Sequence, residues 1–140
     1  MAILQGLTTS FKQQMVQGQQ NLSANTLKMA LYTGFATLNL DTTVYSATNE
    51  ITGTGYTAGG ETMSGVTIST NADGVVYINF NNVVWTSASF TTRGALIYNT
   101  SQSNASVAVL DFGADKTCTN QTFTVTMPVN SATTALIRFP

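Results

Sequence analysis

Residues 93 to 113 read Arg-Gly-Ala-Leu-Ile-Tyr-Asn-Thr-Ser-Gln-Ser-Asn-Ala-Ser-Val-Ala-Val-Leu-Asp-Phe-Gly. Two apolar runs, Ala95 to Tyr98 and Val107 to Phe112, flank eight residues made of amides, hydroxyls and alanine. Short runs rich in β-branched and aromatic side chains, bounded by turn formers, predict two strands joined as a hairpin. Gly94 and Gly113 close the unit at its ends. The runs are nearly continuous in apolar character, which predicts strands covered on both faces rather than a sheet with one face in water.

Outward from this hairpin the pattern stays β. Leu27, Met29 and Leu31 alternate with Lys28, Ala30 and Tyr32, the period of a strand. Residues 62 to 70 alternate through Met63, Val66 and Ile68. Asp73-Gly74 then forms a turn signal, and Val76, Ile78 and Phe80 share one face of the returning strand. Val83 to Thr86, then Phe123 to Met127, then Ala135 to Phe139 are further strands, with residues 114 to 120 expected as a loop. About eight strands with turn signals every eight to twelve residues predict an all-β domain, a β-sandwich of jelly-roll type. Trp85, Ile97, Leu110 and Phe112 are the expected core between its sheets.

Two segments stand outside that pattern. Leu4, Leu7, Phe11 and Met15 recur at spacings of three and four, predicting one helix over residues 2 to 17 with Gly18 as its stop. Thr8, Thr9 and Ser10 weaken its first half and allow a later start. Residues 34 to 61 are irregular, with Tyr45, Ile51 and Tyr56 set in a Thr- and Gly-rich stretch. Long loops of this kind often form binding or assembly surfaces. Leu4, Leu7, Phe11, Tyr45, Ile51 and Tyr56 are therefore the candidate interface residues. The chain is expected as one domain over residues 1–140, a helical segment at 1–18 preceding a sandwich at 26–140.

Composition narrows the function. A chain of 140 residues buries roughly 68% of its unfolded surface. Charged residues are 8%, against roughly 25% in typical soluble domains. A polar but uncharged surface suits a protein packed against neighbours, although an ordinary Thr-rich β-domain has the same composition. The five basic residues, Lys12, Lys28, Arg93, Lys116 and Arg138, are scattered, and the net charge is −1. Phosphate neutralisation needs a basic patch, so nucleic acid is not an expected partner. No apolar run approaches the length of a membrane span, and Met-Ala-Ile-Leu-Gln lacks the basic start of a signal peptide.

With no His and a single Cys118, zinc sites, Ser–His–Asp triads and Cys–His nucleophiles have no residues to build them. Gly53-Thr-Gly-Tyr-Thr-Ala-Gly-Gly lacks the Gly-Lys-Ser/Thr ending of a phosphate loop. Asp111 and Asp115 would offer oxygens to a hard cation, but a surface turn tied to Lys116 is the simpler reading. Asn-x-Ser/Thr at Asn21, Asn99, Asn104 and Asn120 follows from composition alone. The expectation is a protein without catalytic residues, metal or cofactor.

Five blocks carry a resemblance: Leu27-Lys-Met-Ala-Leu-Tyr-Thr, Asn49-Glu-Ile-Thr-Gly-Thr-Gly-Tyr-Thr-Ala-Gly-Gly, Val84-Trp-Thr, Arg93-Gly-Ala-Leu-Ile-Tyr-Asn and Val109-Leu-Asp-Phe-Gly-Ala-Asp-Lys. Together with the N-terminal segment and Leu136-Ile-Arg, they resemble a family of small structural proteins of tailed bacteriophages. The resemblance implies a virion component, made in the bacterial host cytoplasm and assembled in many copies. A capsid decoration (cement) protein is the favoured role, with itself and the major capsid protein or a neighbouring virion protein as partners. A collar, tail or fibre-base component is the alternative. A glycan-binding β module is the third, for which Trp85, Tyr45 and Tyr56 would have to be exposed for stacking.

Overall fold

The computed structural model describes residues 2–140 as an all-β, sandwich-like domain with one helix. In chain order the elements are β1 (Gly6–Leu7), α1 (Thr9–Val16), β2 (Leu27–Tyr32), β3 (Glu61–Thr62), β4 (Thr67–Thr70), β5 (Val76–Asn79), β6 (Val83–Asn99), β7 (Ala105–Val125) and β8 (Ile137–Phe139). One sheet has five strands in the order β1-β7-β6-β2-β3, and the other has three in the order β4-β5-β8. All pairings within the two sheets are antiparallel. The accessible surface is 7088 Å², against about 7,000 Å² for a compact monomer of this mass. No segment therefore projects as an extended arm.

The hairpin expected at 95–98 and 107–112 is present, and it is far longer than the apolar runs. β6 and β7 span 17 and 21 residues. They meet through a 3-10 turn at Thr100–Gln102, followed by Ser103 and Asn104 in left-handed conformation. The expected loop at 114–120 is instead the middle of β7, paired through Phe90↔Cys118, Thr91↔Thr117 and Thr92↔Lys116. Its Thr-rich sequence carries no apolar alternation because most of its side chains face solvent, yet β-branched residues suit a strand. The turn signals at these positions become bulges. Between Thr92↔Lys116 and Gly94↔Asp111, β6 advances two residues while β7 advances five. Bulges bend and twist a ribbon, and here Phe112 and Phe123 of one strand end with ring centroids 6.4 Å apart.

Both faces of the central strands are covered, as the continuous apolar runs predict. Leu27, Met29, Leu31, Ala95, Ile97 and Val107 face the main core, which Ile78 and Ile137 of the second sheet close together with Phe11 and Trp85. Ala30, Tyr32, Leu96, Tyr98 and Val109 face the other way and meet Ile3, Ala36, Leu38 and Tyr45. Leu110 and Phe112, expected in the core, are only partly buried at its margin.

The helix begins at Thr9, and residues 2 to 8 are not helical. Thr8 is the N-cap, its hydroxyl accepting from Phe11 N–H at 3.3 Å, which terminates the helix on that side. Upstream, the chain pairs with other strands. Leu4 N–H donates to Leu38 O at 2.8 Å, and Gly6 and Leu7 pair with Val109 and Ala108. Leu4 and Leu7 match the helical spacing by sequence, but a Gly between them costs a helix about 1 kcal/mol, and the open edge of β7 offers backbone partners instead. Gly18 ends the helix in left-handed conformation (φ 72°), as expected.

The strand expected over 62–70 is divided between the sheets. β3 joins β2 in the larger sheet, β4 joins β5 in the smaller, and Gly65 (φ 67°) lies at the crossing. The turn at Asp73-Gly74 forms, with Asn71 Oδ1 accepting from Asp73 N–H and Val75 N–H at 3.0 Å each. No helix among the described residues is long and apolar enough to cross a membrane.

Candidate functional site

The loop at 34 to 61 gathers a cluster of hydrogen-bonded polar side chains around Glu50. Its backbone attaches at the far end of β2, where Thr33 N–H donates to Asn49 O at 2.9 Å and Ile51 N–H donates to Leu31 O at 3.0 Å. Those two bonds place Glu50 beside the Tyr32 end of the strand. The Glu50 carboxylate then gathers three donors. Tyr45 hydroxyl reaches Oε1 at 2.6 Å, Gly59 N–H reaches Oε2 at 2.7 Å, and Tyr56 hydroxyl also donates to Oε2.

The same tyrosines tie the loop to the sheet. Tyr56 hydroxyl accepts from Leu31 N–H at 3.0 Å, and its ring packs edge-on against Phe90 at 6.0 Å. Tyr45 stacks on Tyr98 with centroids 4.6 Å apart. Tyr98 hydroxyl donates to Gly59 O at 2.6 Å, and Tyr32 hydroxyl donates to Ser46 O at 2.7 Å. Gly60 (φ 83°) lies against the backbone of Met29 and Ala30, where any Cβ would collide with main chain. Four of the five tyrosines in the chain, Tyr32, Tyr45, Tyr56 and Tyr98, thus serve one loop.

Burial pushes all four phenols above their ordinary value of 10.0, and the Glu50 carboxylate adds to the shift in each. They remain protonated donors through neutral and mildly alkaline pH. The carboxylate accepts three hydrogen bonds from within its own loop, out of the roughly four its two oxygens can take. The cluster's chemistry is that of a clasp.

The six candidate interface residues are not brought together. Phe11 and Ile51 lie inside the chain's own core at 0% and 3% exposure. Tyr45 and Tyr56 are half-buried in the clasp, and Leu7 is half-buried in β1. Leu4 alone presents a large apolar surface, at 57%. Larger or comparable exposure belongs to residues the sequence did not mark: Val16 at 90%, Val129 at 75% and Phe35 at 70%. Phe35 follows Thr33-Gly34 just past a strand, and an isolated bulky side chain in a turn was the available signal. Trp85 is in the core at 1% exposure, stacked near Tyr56 and Phe123, which leaves no face for a sugar.

Asp111 and Asp115 do not converge on a common point for a cation. Asp115 lies 3.6 Å from Arg93 in an exposed ion pair, and Asp111 accepts from Gly113 N–H at 2.8 Å. Cys118 is buried, its thiol directed at Phe90 O. Comparison with protein-family models, curated proteins and solved structures finds no match to this chain.

Proposed function

We propose that this chain is a structural component of a tailed-bacteriophage particle, a decoration (cement) protein that bridges and stabilises capsid subunits without catalysis. The observation that carries this reading is the division of labour between interior and surface. Polar side chains of the loop are consumed in holding the fold, while Leu4, Val16, Phe35 and Val129 stand exposed on a surface poor in charge. Such a surface gains free energy by apolar burial against a partner. The blocks that resemble the phage family also fall on the fold's centre: β2, the Arg93 to Asn99 stretch of β6, the start of β7 and the Glu50 loop.

The copy number in purified particles tests the role. A number on the scale of the capsid lattice supports decoration, whereas a number on the scale of one ring assigns the chain to a collar or tail. Absence from particles would end the virion reading. Leu4→Ser and Phe35→Ser are expected to change the isolated domain's stability by under about 0.5 kcal/mol and to reduce retention on particles. Because charge is sparse, retention should change little with salt.

A further inference from the structure

The cluster around Glu50 sets two phenols face to face. Tyr45 and Tyr98 are far apart in the chain, yet their rings stack with centroids 4.6 Å apart and planes inclined by 17°. At that separation ring carbons of the two side chains are in van der Waals contact. Tyr56, by contrast, meets the rings of Trp85 and Phe90. Among the described residues, no other two tyrosine rings pair.

A second observation lies beside that stack. Tyr45 hydroxyl donates to Glu50 Oε1 at 2.6 Å. Burial, and then the Glu50 carboxylate, hold both phenols above the ordinary 10.0, so neither is a phenolate at neutral pH and its oxidation must shed a proton. A phenol that loses an electron becomes a strong acid, and a carboxylate already hydrogen-bonded to it takes that proton without a new encounter. Access to solvent also differs within the pair. Tyr45 is half-buried, whereas Tyr98 is 3% exposed. An oxidant in solution therefore reaches Tyr45, and Tyr98 in contact with it is the next electron donor. Shelter keeps a radical on Tyr98 from meeting another chain.

We infer that Tyr45 and Tyr98 form an oxidative cross-linking site, at which a one-electron oxidant joins the two phenols as a dityrosine. Each phenol gives one electron to the oxidant and releases its phenolic proton, Tyr45 through Glu50 to water and Tyr98 to water. The two phenoxyl radicals carry spin on the carbons ortho to oxygen, and a carbon–carbon bond forms between one such carbon of each ring. The hydrogen on each joined carbon then leaves as a proton and one returns to each oxygen, which restores two phenols. The balance is two electrons and two protons lost, with two equivalents of oxidant reduced. The new bond ties the loop layer to β6 and restricts the unfolded chain as a disulfide does. This inference does not rest on the virion reading, since it concerns the purified chain alone.

The test is oxidation of the purified protein by a ruthenium(III) polypyridyl complex, generated with light and persulfate, followed by peptide mapping in a mass spectrometer. The expected product is a single chain lighter by two hydrogens, with dityrosine fluorescence and one link between the peptides of Tyr45 and Tyr98. Its yield should not change on dilution of the protein, and it should melt at a higher temperature than the unmodified chain. Tyr45→Phe and Tyr98→Phe keep the rings, and each should lose the link while circular dichroism reports an intact fold. Unfolding in urea before oxidation should lose it as well. Tyr77, on β5 of the smaller sheet, stands outside the cluster and serves as reference: Tyr45 should be consumed first. A chain of unchanged mass overturns the inference, as does a link between other tyrosines or a yield that falls on dilution. Loss of Tyr77 ahead of Tyr45 overturns the part assigned to Glu50.

Discussion

The two faces of the central sheet are covered by unlike means. One face meets a second sheet, where Ile78 and Ile137 pack on Met29, Ile97 and Val107 and the backbone groups are satisfied by regular pairing. The other face meets residues 2 to 4 and 34 to 50, which contain no sheet strand of their own. An irregular covering leaves backbone groups that need partners away from water. Here Tyr32 hydroxyl donates to Ser46 O, and just beyond, at Gly59, Tyr98 hydroxyl donates to the carbonyl while Glu50 accepts from the N–H. A regular layer can be built from alternating apolar residues. A loop layer needs specific hydrogen-bonding side chains, and the tyrosines of this chain are concentrated there.

The largest effect should come from removing residues 1 to 17. By sequence that segment stands outside the strand pattern, but it contributes Ile3 to the loop layer, β1 to the sheet edge and Phe11 to the main core. Loss of a buried Phe alone costs about 3–5 kcal/mol, a large share of the roughly 5–15 kcal/mol that holds such a domain. The truncated chain is expected to lose its cooperative melting transition. A truncated chain that melts cooperatively would mean that the N-terminal strap is dispensable to both layers.

The comparison is sharpened by Ile97 and Leu96, adjacent residues that point into opposite layers, both at 0% exposure. Ile97→Ala should cost about 2–5 kcal/mol in urea unfolding. Leu96→Ala should fall at the lower end of that range, because a loop can settle into a cavity more readily than a paired sheet. Equal costs would show the loop layer to be as rigid as the sheet. Leu110→Ala, at the half-buried margin of the core, should cost less than either.

Glu50→Gln tests the clasp. A carboxamide offers one accepting oxygen where the carboxylate's two accept three protons, so at least one donor among Tyr45, Tyr56 and Gly59 loses its partner. The expected cost is about 1–3 kcal/mol. Hydrogen exchange should quicken at residues 45 to 60 while the amides of β6 stay protected. Uniform quickening would mean that the clasp holds the whole domain.

A smaller effect should appear with pH. The folded state raises the pKa of Tyr32, Tyr45, Tyr56 and Tyr98 above the ordinary 10.0, mainly through burial. Folding therefore retains protons that the unfolded chain releases, and stability is full below pH 10.0 and falls as pH rises above it. Tyr56→Phe should lower stability at neutral pH and flatten the alkaline decline. An unchanged slope would remove Tyr56 from that titration.

The strands and the turns were legible in the sequence where one physical signal dominated. Apolar runs at Ala95 to Tyr98 and Val107 to Val109 require burial on both faces, and the structure buries them so. Alternation in Leu27 to Tyr32 located β2, and Gly18 and Asn71 to Gly74 marked a helix end and a turn. The candidate interface was less legible. Tyr45, Ile51 and Tyr56 looked like surface anchors because hydrophobic residues in an irregular loop have no periodicity to reveal which way they face.

Local sequence by itself determined the β class, the central hairpin and the absence of His from any possible site, because these depend on periodicity and on residue inventory. Only tertiary structure decided that Leu4 and Leu7 leave the helix, since the competing partners, Leu38 and Ala108, lie far along the chain. It alone decided that Thr-rich 114 to 120 is strand, because pairing with β6 supplies what apolar alternation does not. The same holds for Glu50: a loop carboxylate acquires its role from three donors whose positions are set by the fold, and no spacing in the sequence encodes that meeting.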